Sequence, residues 1–345
     1  MAKIVALFNH KGGVSKTTTA FNLSWMLASL GKRVIMADFD PQCNLTGMVL
    51  GYGGVDDLED IYTDNPPNNV KDALSSAFES KPRPLVGAEC FTVKGNENLF
   101  LLAGHIGLAE YETTLSIAQE LSGSLVTLKN LPGSFRYMLT ATAEKYNADF
   151  VIVDMSPSLG PVNQNLLMTS DHFIIPLHPD YFSSMALSSL ARVLPRWKSW
   201  ADAAQKVDIL KQADYPFWPG STSFAGAVVQ KYRPRNGSAS KAFQHWIDQL
   251  TEGLKSRLVP VLEASGLLDV AAYEAKLGVK PWVPIMEVAD FNSLIALSQE
   301  HQTPVYQLDK SVVGSGAVWD QAKDNMDQFR ALFEECANKL IKLTA

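Results

Sequence analysis

The chain has 345 residues, 46% of them hydrophobic and 19% charged, with a formal net charge of −6. This is ordinary globular composition, which excludes overall disorder, and at ~150 residues per domain the length allows about two domains or one enlarged one. The acidic balance excludes wholesale coating of nucleic acid or anionic lipid and leaves room for a local basic patch. Three scattered cysteines (Cys43, Cys90, Cys336) with no CxxC pair argue against a disulfide framework or a zinc site.

In chain order, Lys3–Phe8 is a short apolar run that reads as a buried strand, too short for the apolar core of a signal peptide. Asn9–Ser15 is polar and glycine-rich. Lys16–Leu30 repeats apolar residues at Ala20, Leu23, Leu27 and Leu30, a helical spacing stopped by Gly31. Arg33–Ala37 is a second strand, ending at Asp38. Strand, loop, helix and strand in so short a span make a βαβ unit, hence a parallel sheet. Further strands follow at Leu99–Ala103, Phe150–Val153 (ending at Asp154), His172–Leu177 and Phe224–Val229, with Lys280–Pro284 as the last. Leu125–Lys145 reads as a helix broken at Pro132-Gly133.

This grammar predicts an α/β fold: a single doubly wound, mostly parallel sheet flanked by helices and spanning 1–345. Insertions are expected at 51–89 and 201–223, and a C-terminal helical segment at 320–345. The first insertion is rich in Asp, Asn, Pro and Gly, with a helical piece at Val70–Phe78. The second carries Tyr215, Phe217 and Trp218, which either pack on the core or face a partner. No run is long enough to cross a membrane, and the expected location is cytoplasmic. Met326–Leu343 is amphipathic, but Asp327, Glu334 and Glu335 favour packing on the sheet over a membrane surface.

The chemistry concentrates in Lys11-Gly12-Gly13-Val14-Ser15-Lys16-Thr17-Thr18, between a strand and a helix. Such a loop turns successive backbone N–H groups into one concavity beside the positive end of a helix dipole, a cradle for phosphate. Lys16 can reach β- and γ-phosphates, and the Thr17 hydroxyl can complete a Mg2+ shell. The strict pattern G-x-x-x-x-G-K-[ST] fails at His10 and Ser15, which hold its glycine positions. His10 either touches nucleotide or fills a polar slot.

This loop resembles the deviant Walker A box of the ParA/MinD family of ATPases. Asp38-Phe39-Asp40-Pro41-Gln42-Cys43-Asn44 resembles that family's D-x-D-P-Q-x-N box, and Phe150–Gly160 its Walker B strand and following loop. Ala109-Glu110, and Ile175-Pro176 after Asp171, also fall where the family has similar residues. The match spans most of Met1–Leu194 and is nearer to ParA than to MinD. The resemblance implies an ATPase that uses ATP and Mg2+ and forms a homodimer on ATP binding. Lys11 would reach the phosphates held by the other subunit, as an arginine finger does, while Lys16 serves its own. Asp40 would position the attacking water and sit near the metal, Asp154 would hold Mg2+ with Thr17, and Asp38 would support the loop. Read alone, Asp40-Pro41 is a common turn former; its company with Asp154 and the loop favours the chemical role.

Gln230 and Pro284 are the family-based candidates for contacting adenine. Most family members have glycine where this chain has Ser15, so slow hydrolysis is expected. ParA proteins bind DNA without sequence preference; here Arg192, Arg196, Lys198, Lys231, Arg233, Arg235 and Lys241 are candidates, and a solvated surface loop is the competing reading of the Lys231–Lys241 stretch. A ParB-like activator or a cargo adaptor is implied as partner, with no membrane. The reading is an ATP-dependent switch that partitions or positions DNA or cargo. The alternative is an ATP-binding regulatory or scaffold subunit with little hydrolysis. A metabolic P-loop enzyme is weaker, because no further catalytic constellation appears.

Overall fold

The computed structural model describes residues 1–51, 61–63, 65–79, 81, 83–121, 126–218, 220–232, 234–235, 238–239 and 241–345. In chain order the elements are β1 (Lys3–Leu7), α1 (Lys16–Ser29), β2 (Val34–Phe39), α2 (Asn44–Leu50), α3 (Val70–Phe78), β3 (Phe91–Val93), β4 (Asn96–Leu102), α4 (Tyr111–Glu120), α5 (Leu131–Lys145), β5 (Phe150–Met155), α6 (Pro161–Thr169), β6 (His172–Leu177) and α7 (Tyr181–Ala204). Leaving aside the short helical turns Asp208–Lys211, Leu254–Leu258 and Lys310–Val313, they continue with β7 (Ser223–Tyr232), the short hairpin β8 (Pro234–Arg235) and β9 (Ser238–Ala239), α8 (Lys241–Gly253), α9 (Val259–Ala264), α10 (Val270–Leu277), β10 (Met286–Ala289), α11 (Ser293–Glu300) and α12 (Ala317–Thr344).

The main sheet has eight strands in the order β10-β7-β6-β1-β5-β2-β4-β3, all parallel except the β3–β4 pair at one edge. Every residue of β2 and β5 is buried, as expected of strands covered on both faces. The chain moves along the sheet in one direction from β1 through α1 to β2, and in the other from β5 through α6 to β6. Right-handed crossovers therefore put α1 and α6 on opposite faces, and the carboxyl ends of β1, β2 and β5 open into one crevice.

The expected α/β class stands, and three local expectations change. The last strand is Met286–Ala289, not Lys280–Pro284. Pro281 and Pro284 have no N–H to give, and ladder pairing starts where the Ile285 N–H donates to the Ala227 carbonyl. Leu125, the expected helix start, lies outside the described residues; the described helix starts at Leu131, with Pro132 in its first turn, where a missing N–H costs nothing. Gly133 there lies so close to the Tyr215 carbonyl that a Cβ would stand 2.0 Å from it. The antiparallel edge strand β3 went unseen because three residues carry no readable period.

Of the expected insertions, residues 52–60, 64, 80 and 82 of the first and 219 of the second lie outside the described residues. The rest pack down. Tyr215 and Phe217 are buried, Phe217 meets Trp200 edge-on at 5.2 Å, and the Tyr215 hydroxyl accepts a hydrogen bond from the Leu85 N–H. Trp218 stays exposed. α12 buries Met326, Phe329, Phe333, Cys336 and Leu340 and packs on α1 and β10. No helix among the described residues is long and apolar enough to cross a membrane.

Candidate nucleotide site

The loop after β1 is pinned at both ends. Asn9 is fully buried; its amide donates to the Pro176 carbonyl of β6 at 2.8 Å, and its Oδ1 accepts the Lys11 N–H at 3.0 Å. Gly13 (φ 73°) and Ser15 (φ 59°) both adopt left-handed backbone, which turns the chain back into the start of α1. For serine this conformation is strained, and the buried Ser15 hydroxyl has no hydrogen-bond partner among the described residues. Residues 12–18 form one wall of a cleft of about 310 Å³, whose other walls include Asp40, Asn44, Pro157 and Gln299.

Lys16 is buried and its ammonium folds back on the loop, donating to the Asn9 carbonyl at 3.0 Å. Burial pulls its pKa down, opposed by the charges of Asp154 and Asp40. Lys11 points elsewhere: its ammonium lies 2.6 and 2.5 Å from the two carboxylate oxygens of Asp180 and 3.1 Å from the Ser183 hydroxyl. The His10 Nδ1 is buried without a partner among the described residues, and burial lowers the ring's pKa, with Lys16 adding to the effect.

The three aspartates divide the work. Asp38 is spent on structure: one oxygen accepts the Thr46 N–H (2.8 Å) and hydroxyl (2.7 Å), and the other accepts the Asp40 N–H. Asp40 sits at the cleft wall and accepts the Gln42 N–H at 3.0 Å, so it is both the turn former and a cleft carboxylate. Asp154 is fully buried at the end of β5, and among the described residues neither of its oxygens has a hydrogen-bond partner. Burial raises its pKa to about 8, with Asp38 adding to the rise, while the Thr17 hydroxyl and Lys16 oppose it. Thr17 thus lies near enough to act on Asp154 without a hydrogen bond of ordinary geometry. A buried carboxylate without donors, beside Thr17 and Lys16, fits a hard cation with oxygen ligands. Among the described residues no group of three or more His, Cys, Asp or Glu gathers to hold a metal alone, so nucleotide oxygens would have to share such an ion.

Lys11, Gly12, Gly13, Val14, Ser15, Lys16, Thr17, Thr18, Asp40 and Asp154 therefore come together, although Lys11 faces away. Gln230 and Pro284 do not join them. Gln230 is buried behind α1, its amide on the Thr19 hydroxyl. Pro284 stands at the entry to β10, three strands from β1. Gln299 of α11 lines the cleft instead; no motif marks it, because only the return of α11 over α2 brings it there. Of the basic candidates, Arg192 and Arg196 are exposed on α7, Lys198 pairs with Asp202 at 2.5 Å, and Lys241 is exposed at the start of α8. Arg233 lies outside the described residues, as do the side chains of Lys231 and Arg235. Lys255 and Arg257, exposed after α8, were missed because they stand singly in an apolar segment.

An anion cradle at the switch point of a doubly wound sheet, backed by an uncommitted buried carboxylate, defines a P-loop nucleotide-binding protein. A family profile described as an AAA domain matches residues 2–206, and the chain belongs to the ParA/MinD family of P-loop ATPases. It is 34% identical over 194 residues to the sporulation initiation inhibitor protein Soj of Bacillus subtilis, covering 55% of this chain and 64% of that one. The match thus spans less than two thirds of that relative's length. Among solved structures, the McdA–ATP complex of Cyanothece aligns over 98% of this chain and 96% of its own, with TM-score 0.60 and 16% identity. The pNOB8 ParA structure bound to nonspecific DNA aligns over 100% and 99%, with TM-score 0.54 and 16% identity. At these identities the likeness is one of fold.

Proposed function

We propose that this chain is an ATP-dependent switch of the partition type. It binds ATP with Mg2+, pairs with a second copy, engages DNA or a scaffold in that state, and resets by hydrolysis that a partner stimulates. The observation that carries the reading is the buried carboxylate of Asp154, unpartnered among the described residues, beside Lys16 and Thr17, which themselves line the phosphate cleft. In this reading Lys16 swings from the Asn9 carbonyl to the phosphates, and the backbone of residues 12–18 cradles them. Thr17 and Asp154 hold the metal, which neutralises charge on the phosphates when bound. Asp40 orients the attacking water. Lys11 serves the partner's nucleotide.

ATP turnover and retention on DNA, measured together, test it. Wild type should be retained on DNA only with ATP; Asp40→Ala should be retained without turning over; Lys16→Ala should lose both. DNA retention that ignores nucleotide overturns the switch. For the DNA surface, Lys241 with Arg233 and Arg235 is proposed, supported by the DNA-bound ParA of like fold. Ser15 supports a second reading, an ATP-binding subunit with little turnover that acts through a protein partner. Turnover that stays negligible with DNA present selects it.

A further inference from the structure

Lys11 and Asp180 form a contact beside the phosphate loop that the proposed switch has to break. The pair is built into the fold from both sides. Lys11 follows β1, which is tied to β6 by the Phe8 N–H on the Ile174 carbonyl and by the Asn9 amide on the Pro176 carbonyl. Asp180 follows β6 and caps α7, accepting the Ser183 N–H at 2.8 Å. The two residues thus stand on adjoining strand ends with little freedom. Lys11 meets both carboxylate oxygens, with side-chain exposures of 19% and 29% for the pair. Burial alone would raise the Asp180 pKa, but the Lys11 ammonium and the Ser183 N–H hold it below the usual carboxylate range. The Lys11 ammonium also lies 5.9 Å from the centre of the exposed Phe182 ring, on the same first turn of α7.

We propose that Asp180 is a positioning residue for Lys11: it keeps the cross-acting ammonium paired within its own subunit, and so sets the protein concentration at which ATP joins two copies. This rests on the dimerisation reading above. An ammonium already neutralised by a half-buried carboxylate offers a second subunit's phosphates little net charge, so the contact opposes pairing until those phosphates displace Asp180. Displacement leaves Asp180 capping α7 but uncompensated, which tells the exposed first turn of that helix whether Lys11 is engaged. The strict Walker pattern has no counterpart to this arrangement, because it needs a lysine before the glycines and an acid at the end of a different strand.

Asp180→Asn tests it, because asparagine caps a helix as well as aspartate and changes only the charge. Two measurements are made on the full chain. The first is the acetylation rate of Lys11 without nucleotide, read by mass spectrometry. The second is the concentration midpoint of self-association with ATPγS and Mg2+, read by light scattering. In Asp180→Asn, Lys11 should be acetylated several-fold faster and the midpoint should fall about tenfold, the effect of removing one charge-assisted pair. Asp180→Glu should return both toward wild type. Unchanged Lys11 reactivity in Asp180→Asn overturns the contact itself. Faster acetylation with an unchanged or higher midpoint overturns the positioning role. A wild-type chain that stays monomeric with ATPγS overturns the dimerisation reading, and with it the threshold, whatever the acetylation shows.

Discussion

Asp38 and Asp154 stand directly opposite each other in the register of β2 and β5, both carboxyls out of reach of solvent. Thr46 satisfies Asp38, whereas Asp154 is left bare. Burial raises both pKa values, Asp38 to about 6 and Asp154 to about 8, and the Asp38 charge adds to the rise at Asp154. The folded chain therefore binds protons that the unfolded chain, with carboxylates near ~3.9, has released. Stability without nucleotide is fully present below that unfolded value, declines as pH rises above it and through about 6 and about 8, and levels off only above the higher of these. Urea unfolding across this range should show the fall. Asp154→Asn should flatten its upper part and raise stability at pH 8, since an amide there carries no charge to bury. A variant that follows the wild-type curve contradicts the assignment.

Ser15 carries a backbone conformation that glycine takes without strain. Ser15→Gly should stabilise the nucleotide-free chain by about 1 kcal/mol, because relief of the left-handed conformation exceeds the added freedom of the unfolded chain. If the Cβ is what slows hydrolysis, the same variant should turn ATP over faster with DNA present. Equal turnover leaves Ser15 as a cost to stability alone.

Gly104 guards the Asp38 side of the site. A Cβ there would stand 2.9 Å from the Asp38 Cγ and 3.1 Å from the Cys43 Sγ, while the Gly104 N–H already binds the Thr46 hydroxyl at 2.8 Å. Gly104→Ala should cost about 1–3 kcal/mol and displace the Asp38–Thr46 contact that fixes the start of α2. Turnover should drop further than nucleotide affinity, since Asp40 is held through the same loop. A variant with wild-type stability and turnover rules this out.

The proposed DNA surface can be tested apart from the proposed switch. Arg233→Glu with Arg235→Glu should abolish retention on DNA at moderate salt and leave ATP-dependent self-association intact, because charge reversal removes several phosphate contacts at once. Unchanged retention would move attention to Arg192, Lys255 and Arg257, which are exposed on α7 and after α8.

The sequence alone determined the βαβ grammar, the parallel sheet, the phosphate loop and the aspartates that end β2 and β5. Each of these is written locally, in apolar runs bounded by glycine and in acids at the close of an apolar run. The tertiary structure decided what depends on neighbours far away in the chain. It turned Gln230 onto Thr19 and moved the last strand beyond Pro284, because pairing with β7 needs N–H groups that prolines lack. It brought Gln299 to the cleft, 282 positions beyond Thr17 in the numbering. It separated Asp38, used up by Thr46, from Asp154, left free. It also set Lys11 against Asp180, a pairing across 169 positions that no local pattern encodes. Eight of the ten described strands form one main sheet, and that sheet makes the −6 chain a P-loop protein whose basic residues stand on particular elements.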